Sequence, residues 1–392
     1  MNLAQRALFI PLIFSFFFLI SCSNNLWAQE EEQELPPISA LYQELQEDDF
    51  LPVDRASMPT SPAFRGANDL FFFTQVNTND NGDNILGDAA NEPSMAIDPN
   101  NPDRMMMGWR QFDTVNSNFR QAGFAYSNDG GDTWTFPGVI NPGVFRSDPV
   151  LSVDSDGNFH YNSLSSDTIG SFFCTQFTST GDDTWSDGTP AKGGDKQWMT
   201  IDRSGGDGDG HIYTNWNSGL SFCPPFDFSR SVDNNLSFED CSSIPDAPFW
   251  GTLAVGPTGE LFSCGFSGNF FGELSIARSD NAQNANEPLI WNQVTSTSLG
   301  GNPVAFGGQD TPNPVGLHGQ AWVDVDRSGG PSNGHVYALA AVEVFDNFPD
   351  PSDVMFIRST DGGQTFSTPI KINDDDEAAN NWQWMAAMSV AP

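Results

Sequence analysis

One pattern recurs along most of this chain, and it leaves few ways to fold. An apolar, alternating run ends near a Val or Ile, is usually followed by Asp, and then breaks into a turn. It reads Pro93-Ser-Met-Ala-Ile-Asp98, Pro149-Val-Leu-Ser-Val-Asp154 and Gln197-Trp-Met-Thr-Ile-Asp202. It returns as Trp250-Gly-Thr-Leu-Ala-Val-Gly256, Ala321-Trp-Val-Asp-Val-Asp326 and Trp384-Met-Ala-Ala-Met-Ser-Val-Ala391. The copies lie roughly 50 to 70 residues apart, a period that suits one small sheet per copy. Three copies lead through a Gly turn into a second strand: Gly157 before Phe159-His160-Tyr161, Gly210 before His211-Ile212-Tyr213, and Gly334 before His335-Val336-Tyr337. Glycine supplies the backbone freedom such hairpins need, and the β-branched and aromatic residues beside it suit a pleated surface. With 37 Gly and 27 Pro in 392 residues, turns rather than long helices are expected.

A second element falls late in each repeat. Ser127-Asn-Asp129-Gly-Gly131-Asp-Thr133-Trp134 and Ser359-Thr-Asp361-Gly-Gly363-Gln-Thr365-Phe366 are almost the same octapeptide. Ser231-Val-Asp233-Asn-Asn-Leu-Ser237-Phe238 is a weaker copy, Thr178 to Trp185 keeps the spacing without the acid, and Ser279-Asp280 before Trp291 looks interrupted. In physical terms the Asp caps turn N–H groups, Gly takes a left-handed conformation and the aromatic packs between sheets. These residues are read as scaffold.

The octapeptide resembles the Asp-box of bacterial neuraminidase repeats, found in sialidases and related propellers. That resemblance implies an all-β, six-bladed sialidase-like β-propeller, its last blade incomplete or completed by the N-terminal strand Leu70–Val76. It implies far less about chemistry, because one fold hosts many functions. A sialidase of this type would carry three arginines, a Tyr–Glu pair and an Asp acid. Arg110 and Arg146 fit two arginine positions; no convincing third exists, since Arg104, Arg203 and Arg327 sit in turns.

The formal charge of −36 argues against nucleic-acid partners, which require a basic footprint. At the N-terminus, Arg6 precedes an apolar stretch, residues 7–20, too short to span a membrane comfortably and suited to an export signal. It ends Leu19-Ile20-Ser21-Cys22, similar to a lipoprotein signal that would leave Cys22 lipidated; cleavage near Ala28 is the alternative. The expected organisation is a signal over 1–21, a Glu- and Pro-rich tether over 22–68 and the propeller over 69–392. The expected location is the cell envelope or outside the cell, with membrane contact only through the lipid, as a monomer. Four further cysteines allow three pairings, and the short spacing favours Cys223 with Cys241.

In a propeller the starts of the innermost strands face the ligand. Polar candidates there are Glu92, Asp148, Asp195 and His318 as catalytic groups, with Arg110, Arg146, Lys196, Trp109 and Gln320 for substrate. The basic residues either pair with the acids as a structural network or bind an acidic sugar. Hydrolysis of a glycosidic bond needs two facing carboxylates. The first expectation is therefore an enzyme acting on extracellular glycan or acidic polysaccharide, the second a non-catalytic glycan- or protein-binding propeller, and the third a lyase using His318 with a Tyr. No cofactor is required. Calcium is an option at Asn77, Asn79, Asn81, Asp83 and Asp88, whose spacing around Gly82 resembles an EF-hand loop; a plain Asn/Asp turn is the alternative.

Overall fold

Five of the six repeats each become one antiparallel sheet whose main strands follow chain order. The first contains Ala89–Ile97, Met105–Phe112, Arg120–Ser127 and Thr135–Ile140; the second Ser147–Val153, Phe159–Thr168, Ser171–Ser179 and Thr189–Pro190. The third is Trp198–Ile201, Ile212–Asn215 and Phe228–Ser231, and the fourth Phe249–Val255, Leu261–Phe266, Glu273–Ser279 and Gln293–Ser298. The fifth joins Trp322–Val325, Val336–Val344, Asp353–Ser359 and Ile370–Lys371, with Gly301–Pro303 added beside Val336–Val344. These come from a computed structural model that describes residues 47–67, 71–168, 171–268, 272–303, 312, 319–344, 351–375 and 381–391. The export signal, Cys22 and the tether up to residue 46 lie outside the described residues, as does His318.

The core is divided between the sheets, in propeller-like fashion. Met106, Phe124, Leu151, Phe159, Tyr161 and Phe177 fill the space between the first and second. Val150, Leu164, Cys174, Met199 and Ile212 lie between the second and third. Tyr213, Phe228, Leu253 and Leu261 join the third to the fourth, and Phe262, Ile276, Val323, Val336 and Ile357 join the fourth to the fifth. A sheet covered on both faces buries consecutive residues, which is why every residue of Ile212–Asn215 and Leu261–Phe266 is buried.

The outer face of the first sheet differs. Ala96 faces the second sheet, so Met95 and Ile97 point the other way, and they are 49% and 39% exposed. The C-terminal repeat lies against the fifth sheet instead: the Val390 amide donates to Asp324 Oδ2 at 2.7 Å, and Trp382 bridges Ser352. The expected completion of that repeat by Leu70–Val76 does not occur among the described residues. Phe72–Thr74 pairs with Arg65–Ala67, and Thr60–Pro62 with Asp83–Ile85.

Residues 47–67 are no free tether either. Glu47 pairs with Arg120, the Leu51 amide donates to Asp113 at 2.7 Å, and Arg55 pairs with Asp88 at 2.8 Å. Composition misses this because a few charged contacts, not an apolar run, dock the segment.

The octapeptide turns share one geometry. Ser127 Oγ accepts from the Gly131 amide at 2.9 Å while Asp129 accepts from Thr133, and Ser359, Gly363, Asp361 and Thr365 repeat this. The weaker copy does the same with Asn235 in place of Gly, at a φ of 66°. Bonds from Thr365 and Ser359 hold the Asp361 carboxyl down at about 2. Cys223 and Cys241 are joined, while Cys174 and Cys264 are buried thiols.

Candidate functional site

Six residues before the end of each inner run, the backbone does something unusual. Glu92, Asp148, Lys196 and Trp250 occupy equivalent repeat positions and take φ of 52°, 43°, 53° and 49°. Met385, the equivalent in the C-terminal repeat, has φ 52°. Only Gln320 among the six lacks this turn. Left-handed conformations at non-glycine residues cost on the order of 1–3 kcal/mol each and persist where the surroundings enforce them. At the first, second and fourth sheets the strand register slips at the same place, so each is a β-bulge that re-aims one side chain.

The bulges bring charges together. Arg110 Nη2 pairs with Glu92 Oε1 at 3.1 Å, and Arg110 Nε donates to Asn91 at 2.9 Å. Lys196 Nζ pairs with Asp148 Oδ2 at 3.2 Å across the second and third sheets. Ser147 Oγ donates to Asp148 Oδ1 at 2.7 Å, and Gln197 Nε2 donates to the Asp148 carbonyl. Burial alone would raise the Asp148 pKa. Lys196, then Arg110, the Ser147 hydroxyl and Arg120 outweigh it and hold the carboxyl well below the usual carboxylate range. Glu92 is the more open of the two acids, its side chain 39% exposed against 11% for Asp148.

Other candidates belong elsewhere. Asp195 is buried and accepts from Asn217 Nδ2 at 3.1 Å, while Asn217 Oδ1 accepts from the Trp250 amide, so this acid braces the third sheet against the fourth. Arg146 is buried with its guanidinium 4.7 Å from the Phe177 ring centroid, in the core rather than at the rim. Trp109 is likewise core, its indole N–H donating to Gln111 at 2.8 Å. Gln320 is half-buried at the start of the fifth inner strand. Arg120 was not among the sequence candidates; it opens the third strand of the first sheet, and only the register opposite Phe112 shows that it returns to the end of the sheet where Arg110 lies opposite Asn91.

Below the rim, Trp198 and Trp322 meet edge to face with centroids 4.9 Å apart, joining the third and fifth inner strands. Asn79 Oδ1, in the loop considered for calcium, accepts from the Asn81 and Asp83 amides at 3.0 and 2.9 Å. Asp88 Oδ1 accepts from Arg55 and Gln111, both at 2.8 Å. Among the described residues, no three His, Cys, Asp or Glu side chains gather as a metal-ligand set.

No family model matches the chain, and no curated protein matches it. Solved structures resemble it distantly. A protein of unknown function from Dyadobacter fermentans is 13% identical, over 73% of this chain and 84% of that one, with a TM-score of 0.45. A Hadza microbial sialidase is 13% identical, over 74% of this chain and 59% of that one, at 0.47. A GH74 enzyme from Niastella koreensis is 16% identical, over 70% of this chain and 37% of that one, at 0.43. Likeness this weak transfers neither activity nor site.

What the arrangement can do therefore follows from its own chemistry. It offers one carboxylate held ionised by its cationic neighbours, one solvent-reachable carboxylate, and a guanidinium that touches the second and acts on the first.

Proposed function

We propose that the six repeats form a β-propeller and that the bulge residues at its mouth bind and cleave extracellular glycan. The C-terminal repeat supports the sixth blade: Met385 adopts the same left-handed turn as its equivalents, beside the fifth sheet. One observation carries the chemistry. Glu92 and Asp148 project from equivalent bulges, with Arg110 paired to one and acting on the other. Glycoside hydrolysis needs two carboxyl groups flanking the scissile bond. Glu92, open to solvent, serves as proton donor and acceptor. Asp148, held ionised by Lys196 and Arg110, serves as the negative charge that faces the developing oxocarbenium ion.

The rim cations are already neutralised: Arg110 by Glu92, Lys196 by Asp148 and Arg120 by Glu47. A free carboxylate clamp is thus missing from the described rim, and the reading favours neutral over acidic glycans. Export with lipidation at Cys22 would place this mouth outside the cell.

The test is a screen of neutral, sialylated and uronate-containing oligosaccharides for released reducing ends. Glu92→Gln is expected to lower turnover of the best substrate by about 10²–10⁴-fold, the usual worth of a positioned acid–base group, with KM little changed. Unchanged turnover in Glu92→Gln would defeat the proposal. Binding without turnover in the wild-type protein would move it to the second reading, a glycan-binding propeller.

A further inference from the structure

Two of the arginines that the mouth does not use come from a repeated turn. Asp202-Arg203-Ser204-Gly205-Gly206 and Asp326-Arg327-Ser328-Gly329-Gly330 follow the third and fifth inner strands. Gly205 and Gly329 take nearly the same left-handed φ, 71° and 67°, so the turns are structural twins. Their strands start together, where Trp198 meets Trp322, and each arginine lies five residues further on. Both therefore emerge at the end of the inner strands away from the bulges. Arg327 leans inward: its Nη1 donates to the carbonyl of Val255 at 2.7 Å, at the end of the intervening inner strand.

Their partners are unequal. Arg327 pairs with Asp324 at 3.2 Å. The guanidinium of Arg203 makes no hydrogen bond or ion pair among the described residues. In a chain with 51 acidic and 15 basic residues, an arginine with no protein partner, on a turn that twins another arginine's turn, calls for explanation.

We propose that Arg203 and Arg327 form a binding site for a small tetrahedral oxyanion, sulfate or phosphate, at the end of the inner strands opposite the mouth. Guanidinium groups present planar forks that match such anions, and two of them close together repel until an anion lies between. The site's electrostatics agree. Solvent reaches Arg203, yet the surrounding protein strips enough water to lower its basicity, and the charge of Arg327 lowers it further. Asp324 and Asp154 are the acids that act on it in the opposite sense. Asp324 is already shared between Arg327 and the Val390 amide, and Asp154 accepts from Asn158 and lies 3.1 Å from His160 Nε2. Neither satisfies Arg203. The proposal needs only the third to fifth sheets and is independent of the mouth's chemistry.

The test compares thermal unfolding in millimolar sodium sulfate or phosphate with sodium chloride of equal ionic strength, which controls for screening. Sulfate or phosphate should raise the Tm of the full chain by about 2–4 °C beyond chloride, as a ligand of the native state does. Arg203→Met should lose that response and, without anion, melt above wild type because the repulsion is relieved. Arg203→Lys should keep part of the response. An equal sulfate response in Arg203→Met and wild type would overturn the site. So would a wild-type response no larger than that of chloride, or an Arg203→Met baseline below wild type.

Discussion

Asp227→Asn is expected to abolish most of the loss of stability that this one group causes in the wild-type protein between pH 4 and pH 8. Asp227 lies just before the strand Phe228–Ser231, within the loop closed by Cys223 and Cys241. It is buried, and burial pushes its carboxyl up to about 7, even though Oδ1 accepts the Ile244 amide at 2.7 Å. The folded state therefore binds the proton more tightly than the unfolded chain, whose carboxyl titrates near 4. Below pH 4 both states are protonated and the stabilisation is fully present. As pH rises toward 7 the unfolded chain releases its proton first, and folding loses on the order of 4 kcal/mol before the curve levels. Asn keeps the oxygen that Ile244 needs and carries no charge. Urea unfolding at pH 5 and pH 8 should show a large fall for wild type, a small one for the variant, and a more stable variant at pH 8. Parallel falls in the two proteins would mean that Asp227 does not titrate in this range.

Gly251→Ala is expected to cost about 3 kcal/mol or more, enough to leave little soluble protein. A Cβ at Gly251 would come within 1.7 Å of the Cys264 carbonyl oxygen on the adjacent strand. That obstacle is backbone inside a sheet, which cannot rotate away as a side chain can. Gly251 follows Trp250, the left-handed residue of the bulge in the fourth sheet, where the register shifts between Phe249 and Thr252. The cost would thus measure how tightly the bulge draws the two strands together. Gly219, with nothing within 4 Å of an added Cβ, is the control, and Gly219→Ala should change stability by less than about 0.5 kcal/mol. Similar melting curves for the two variants would show that the bulge is loose.

The repeat made the sheets legible because its periodicity reports burial directly. The runs ending at Asp98, Asp154, Asp202, Gly256 and Asp326 each became or closed an inner strand. The same alignment located Glu92, Asp148 and Lys196, whose equivalence is a matter of counting. It failed where the face of a strand decides the matter. Trp109 and Arg110 are neighbours, and alternation alone does not say which turns inward; the structure buries Trp109 and sends Arg110 to Glu92. Arg146 lies two residues before Asp148 and was grouped with it, but the bulge re-aims only Asp148, leaving Arg146 against Phe177. Arg120 was invisible for a different reason: its relation to Asp148 arises through pairing between strands and between sheets, not through spacing along one.

The most direct measurement is a crystal structure of Glu92→Gln holding the oligosaccharide that the wild-type protein turns over best. If the axial bulges form the working face, sugar density will lie across Arg110 and Asp148, with the scissile linkage within hydrogen-bond reach of residue 92. Sugar bound elsewhere on the protein, with that rim empty, would contradict the assignment.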